Sequence, residues 1–119
     1  MLTDETCDIL CNPRLFRRFG DALILNATIL NATLVPDKAY TAAITKTATD
    51  DLIPLVADGG NLMGLNTCDH RITLVPGGIL LIVDGKVVGA IGVGGGSKKQ
   101  DLEIAIFVVD KFKKIATKQ

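Results

Sequence analysis

The residues of this 119-residue chain that could carry chemistry are few: one histidine, three cysteines, and a cluster of glycines ahead of a helix start. His70 is the lone imidazole, and so the lone conventional nitrogen ligand for a haem or a metal ion. Its neighbours Asp69 and Arg71 point to an exposed loop edge, so a surface histidine without a special role stands beside the ligand reading. Asp69, Asp84 and Asp101 are available acids, yet no nucleophile, histidine and acid assemble into a catalytic set. Cys7 and Cys11 lie four apart on an expected N-terminal helix, and Cys68 sits in a polar loop. One histidine with scattered thiols falls short of a zinc site, and three cysteines cannot all pair, so reduced thiols are expected.

The glycines of 92–96 invite a phosphate-binding reading, which the spacing does not support. A phosphate-binding loop closes on Gly-Lys-Ser/Thr, whereas here Ser97 precedes Lys98. A dinucleotide fingerprint opening at Gly92 needs glycine or alanine at 97, where serine stands. Two readings stay open: helix-terminal amides that hold an anion, or a strand-to-helix turn that uses glycine for its backbone angles.

The elements that must position these residues centre on a hairpin. Residues 79–83 form an unbroken apolar run and 86–93 a second, and Asp84-Gly85 between them suits a type I′ turn. A tight turn predicts Ile82 opposite Val87, Leu81 opposite Val88 and Leu80 opposite Gly89. Val88, Ala90 and Gly92 would then share a smooth face open to a helix or a flat ligand. Ser97 and Gln100 have the spacing of a capping box, opening a last helix over 98–117 with a core stripe of Leu102, Ala105, Val109, Phe112 and Ala116. Ile104, Ile106, Phe107, Val108 and Ile115 widen its apolar area, which predicts contact with another subunit.

Upstream, Thr3-Asp4-Glu5 reads as a helix start, with a break at Asn12-Pro13 and a further helical turn after it. The repeat within 22–35, rich in β-branched and aliphatic residues, reads as one or two strands. Its two Asn-Ala-Thr tripeptides are read as structural rather than glycosylated. Pro36-Asp37 predicts a helix over 36–48 with small packing residues Ala39, Ala42 and Ala43. Thr49 is the expected cap of a shorter helix that stops at Asp58-Gly59-Gly60, residues 66–69 are expected to be loop, and 71–75 to be a strand. Tyr40 is read as core or pocket wall. The order predicts an α+β domain, with helices covering a largely antiparallel sheet.

Composition narrows the function classes. Thirteen basic residues balance thirteen acidic ones, and four Phe, one Tyr and no Trp give neither the charge nor the stacking surface of a nucleic-acid binder. The apolar runs are too short to span a bilayer, and 1–20 is too charged for a signal peptide, so a soluble cytoplasmic protein of one domain is expected.

Three stretches carry a family resemblance: Lys38-Ala39-Tyr40-Thr41-Ala42-Ala43, then Pro76-Gly77-Gly78-Ile79, then Asp84-Gly85-Lys86-Val87-Val88-Gly89-Ala90-Ile91-Gly92-Val93 with Gln100-Asp101. Over roughly residues 33–110 the chain resembles the GlcG/HbpS family, which includes the C-terminal domain of PduO-type proteins and the OrfY-like proteins of glycerol and diol utilisation. The resemblance implies a profilin-like α/β/α sandwich with an antiparallel sheet of about five strands, assembly into homo-oligomers, and haem or a related tetrapyrrole as ligand. It implies a single domain over 1–119, with 1–35 atypical or shortened. The chain has Leu80 where the family usually has proline, and Gly94 where it usually has serine. On this reading the cofactor-binding residues are Lys38, Tyr40, His70, Gly94, Gln100 and Asp101, with His70 as the metal ligand. A ligand-binding accessory of glycolate, glycerol or diol metabolism, a small-molecule enzyme of those pathways, and a structural module all remain open.

Overall fold

The structure is a computed structural model that describes residues 3–18 and 25–116, with side chains placed for 6–17 and 33–116. The described elements are β1 (Thr3–Asp8), β2 (Pro13–Arg18), α1 (Leu25–Thr45), α2 (Thr49–Val56), α3 (Leu65–Cys68), β3 (Gly78–Val83), β4 (Lys86–Gly94) and α4 (Lys98–Ala116). The sheet is antiparallel in the order β2-β1-β4-β3, so the described residues supply four strands where about five were expected.

The hairpin forms as its sequence requires. Asp84 and Gly85 both take positive φ, at 50° and 75°, the requirement of a type I′ turn. Ile82 pairs with Val87 as expected, but a bulge after Leu81 sets Leu81 opposite Gly89 and Leu80 opposite Ala90. Val88 is the extra residue, which shifts the rest of the ladder by one.

The N-terminal segment departs from the expected helices. Residues 3–8 form β1, which pairs with both β2 and β4 and is thus an interior strand. Alternation explains it: Cys7 points into the core, where its thiol approaches the Ala39 carbonyl at 3.6 Å, while Thr6 points to the other face. The turn after β1 is organised by Asp8, whose carboxylate accepts the Leu10 and Asn12 amides and pairs with Arg14. Those two amides and the Asn12 side chain hold the Asp8 carboxyl below its usual range against the opposing effect of burial. Cys11 takes φ 65° in this turn, and Pro13 opens β2 rather than a helical turn.

The expected strand over 22–35 is instead the upstream part of α1, as far as the described residues reach. Pro36 stands inside this 21-residue helix rather than at its start. β-Branched content is a weak guide where tertiary packing decides, and the downstream half of α1 is anchored firmly on the sheet. Ala39, Ala42 and Ala43 pack on Cys7 and Ala90. Ala90 and Gly92 are therefore core beneath α1 and not a ligand wall, while Val88, the bulged residue, is exposed and does not share their surface. A side chain at Gly92 would collide with the Val35 carbonyl and stand 2.9 Å from the Ala39 nitrogen.

On the opposite face α4 packs Ala105 and Val109 against Leu81, Ile91 and Val93, with Ile79, Ile104, Val108 and Phe112 around them. Ala105, Val109 and Phe112 of the expected stripe take this place, joined by Ile104 and Val108, and the capping box is formed: Ser97 N donates to Gln100 Oε1 at 2.9 Å, and Gln100 N to Ser97 Oγ at 3.2 Å. α1 and α4 thus enclose the sheet, an α+β arrangement in α/β/α layers.

Two further expectations shift. Thr49 is the first residue of α2, not its cap, and its hydroxyl accepts the Gly78 amide at 3.0 Å on the margin of the sheet. Residues 65–68 make the single turn α3 rather than loop. Residues 71–75 do not join the sheet, because they are held on α1: Thr41 Oγ1 donates to the Arg71 carbonyl at 3.1 Å and accepts the Thr73 amide at 3.0 Å. A backbone whose polar groups are satisfied on a helix is not available for a ladder.

Gly92→Ala is expected to lower the unfolding free energy by about 1–3 kcal/mol, because the added methyl forces α1 off the sheet. Urea unfolding measures it, and a loss of less than about 0.5 kcal/mol, the ordinary range of a neutral substitution, would show that the helix and sheet are not in this contact.

Candidate functional site

The predicted site residues fall into two groups on opposite sides of α1. Lys38 and Tyr40 are two positions apart on a helix, so their side chains diverge by about 200°. They do not share a pocket.

The first group is interior. Lys38 is fully buried, and its Nζ donates to the Val93 carbonyl at 2.6 Å and to Asp101 Oδ2 at 3.1 Å. Asp101 Oδ1 accepts the Gly96 amide at 2.9 Å. Burial pushes the Lys38 ammonium down, while the Asp101 carboxylate pulls it back by charge and hydrogen bond. Gly94, the last residue of β4, pairs with Thr3, and Gln100 is engaged with Ser97. The amides of 96 and 97 therefore serve side chains of their own helix, which favours the turn reading of the glycines over an anion site.

The second group lies at the surface. Tyr40, largely buried, donates its hydroxyl to Asp69 Oδ2. Arg71 Nη2 donates to the Tyr40 hydroxyl at 2.7 Å and to Asp69 Oδ2 at 3.3 Å, and its guanidinium carbon lies 3.9 Å from the Tyr40 ring centroid. The result is a clamp in which a guanidinium is stacked on an aromatic face and paired with a carboxylate. The Tyr40 hydroxyl and the Arg71 amide hold the Asp69 carboxyl at about 2. The hydrogen bond to Asp69 raises the Tyr40 phenol, helped by burial and opposed by Arg71, and the same carboxylate raises Arg71.

His70 stands exposed between Asp69 and Arg71. Asp37, one turn before Tyr40 on α1, is half-buried; burial raises its carboxyl, and the charges of His70 and Arg71 pull it down. Ile44, one turn after Tyr40, is exposed, and so is Leu10 beside Cys11 in the β1–β2 turn. Asp37, Tyr40 and Ile44 follow helical spacing and so share a stripe beside residues 69–71. Among the described residues no group of three or more His, Cys, Asp or Glu side chains could hold a metal ion, and no helix is long and apolar enough to cross a membrane. The three cysteines are free of disulfides.

Sequence reasoning placed Asp69 and Arg71 only as neighbours of His70. Their partnership with Tyr40 spans about thirty positions, and the local sequence carries no signal for it.

With this architecture in place, residues 22–110 match the family described as haem degrading protein HbpS-like. The chain belongs to the HbpS-like family. This HbpS-like chain is 37% identical over 106 residues to an uncharacterized 15.0 kDa protein of the dhaT-dhaS intergenic region of Citrobacter freundii, covering 87% of this chain and 70% of the relative. It is 38% identical over 81 residues to the corrinoid adenosyltransferase PduO of Salmonella typhimurium, 67% of this chain but 24% of that protein. The crystal structure of a PduOC–haem complex superposes with a TM-score of 0.82 at 32% identity, over 92% of this chain and 76% of that one. The expected family and layered fold therefore stand, with four described strands.

Lys38→Met is expected to cost about 3–5 kcal/mol, because it leaves the Asp101 carboxylate buried and uncompensated. Lys38→Met with Asp101→Leu should recover a large part of that loss. Urea unfolding of both variants checks this; a single variant as stable as wild type would remove the structural role given to the pair.

Proposed function

We propose that this chain is a small haem- or tetrapyrrole-binding protein, an accessory of diol, glycerol or glycolate metabolism. The observation that carries the reading is the likeness in sequence and fold to a protein crystallised with haem. The relatives from PduO and the dhaT-dhaS region support the metabolic setting.

The residues at the exposed rim of α1 suit such a ligand. An amphiphilic macrocycle needs apolar surface, an axial donor and polar groups at its edge. Ile44 and Leu10 offer exposed apolar surface, His70 an accessible imidazole, and the Tyr40–Asp69–Arg71 clamp a fixed polar edge. When bound, the haem would supply redox and ligand-exchange chemistry at its iron. The part of this chain is to hold and orient it, with His70 as the ligand to the metal. Lys38 and Asp101 act beneath the site by fixing α1 to the sheet and to α4. Three thiols outside any disulfide are in keeping with a cytoplasmic location.

Self-association belongs to the same proposal. Ile106, Phe107 and Ile115 lie exposed on α4, away from the stripe that meets the sheet, and another copy of the chain would cover them.

Two measurements test these points. Titration of the purified protein with hemin should shift the Soret band, and His70→Ala should alter the shifted spectrum. An unshifted band in wild type would end the haem reading, and a spectrum indifferent to His70→Ala would end the role of the histidine. In sedimentation at several concentrations the chain should exceed monomer mass, and Phe107→Asp should reduce it; a monomer throughout would dispose of self-association.

A further inference from the structure

Arg71 is held more firmly than a surface arginine needs to be, and only part of its hydrogen-bonding capacity is used. Its Nε donates to Asp69 Oδ1 at 3.4 Å, and its Nη2 donates to Asp69 Oδ2 and the Tyr40 hydroxyl. Stacking on the Tyr40 ring fixes the plane of the group. Among the described residues Nη1 has no acceptor, and the side chain is 52% exposed. A guanidinium presents five donors in a rigid fork, and here one edge is bound and oriented while the Nη1 side faces outward.

We propose that this outward edge of Arg71 is a carboxylate-binding subsite, which takes an acid side arm of the ligand held at the α1 rim. The inference rests on the tetrapyrrole reading and deepens it by naming which group of the ligand this chain recognises. Two carboxylates lie near the guanidinium, Asp69 and Asp37. Asp69 is occupied on the far edge of the same guanidinium by two donors of Arg71 and by Tyr40. Asp37 is half-buried on α1, close enough to Arg71 for the guanidinium to pull its carboxyl down. The clamp thus keeps Asp69 on one edge and leaves the other to a second anion. Pre-orientation lowers the cost of forming that bond, since the arginine has little rotamer freedom left to lose.

The discriminating probes are hemin and hemin dimethyl ester, which share the macrocycle and iron and differ in whether the two side arms are charged. Wild type should bind hemin about tenfold more tightly than the ester, the size expected of one charge-assisted hydrogen bond from Nη1 at a partly exposed site. Arg71→Gln should bring the two affinities together chiefly by weakening hemin, and Arg71→Lys, which keeps the charge but not the fork, should retain part of the preference. Thermal unfolding by circular dichroism shows whether each variant is folded at the titration temperature, and the wild-type comparison stands without any variant. Equal affinity of wild type for acid and ester would overturn the subsite while leaving haem binding intact, as would a preference that survives Arg71→Gln. Absence of any hemin binding by wild type would instead remove the reading on which the subsite rests.

Discussion

The buried ion pair between Lys38 and Asp101 is the constraint on which the other parts of this molecule depend. Two charges removed from water must satisfy one another and their remaining hydrogen-bonding capacity, or the interior cannot accept them. Here the lysine also caps the Val93 carbonyl and the aspartate also takes the Gly96 amide. One contact therefore joins the middle of α1, the end of β4 and the first turn of α4. It also fixes Gly77, where a side chain would meet the Lys38 ammonium at 3.1 Å and Asp101 Cβ at 3.2 Å. The turn into β3 is thereby tied to the same node, and the two helices on opposite faces of the sheet are set relative to each other.

This arrangement divides α1 by function. Lys38 and the alanines face inward and meet the sheet; Asp37, Tyr40 and Ile44 face outward beside residues 69–71. The segment 71–75 is bound to the helix by Thr41 while Arg71 stacks on Tyr40, one residue earlier. The surface clamp is thus built on a helix whose inner side is already immobilised. Precision at the rim comes from the interior, where the fully buried Thr41 holds the backbone of residues 71–73.

Local signals in the sequence were read correctly at the hairpin turn and at the α4 cap, but not at Thr49, which is the first residue of α2 rather than its cap. Asp84-Gly85 requires positive φ at both positions, and Ser97 with Gln100 satisfies amides within one helical turn, so hairpin and cap were both legible. The errors arose where distant pairing decided. Residues 3–8 have a plausible helix start, but they become an interior strand because β4, more than eighty residues away, supplies one partner. Residues 22–35 carry β-branched side chains, yet α1 extends through their described part and passes Pro36. Residues 71–75 have strand composition, and a threonine hydroxyl on α1 claims their backbone instead. Lys38 and Asp101 were selected as separate ligand-binding residues, and their pairing in the interior was not legible; likewise, the divergence of Lys38 from Tyr40 follows only once both are on one continuous helix. Arg71 was invisible as a site residue because its partner Tyr40 is remote in sequence.

The close contact of α1 with Gly92 gives the two faces of the sheet different mechanical character. Against α4 the interface is a layer of aliphatic side chains, which can exchange volume with one another and absorb substitution or slight displacement. Against α1 it is backbone resting on backbone, with alanine methyls beside it and little side-chain material to rearrange. Such a junction is stiff and intolerant of sequence drift, whereas the other is compliant. A ligand at the rim of α1 would consequently press on the rigid side of the domain, and any yielding of the sheet would be taken up on the side of α4, where the exposed apolar residues lie.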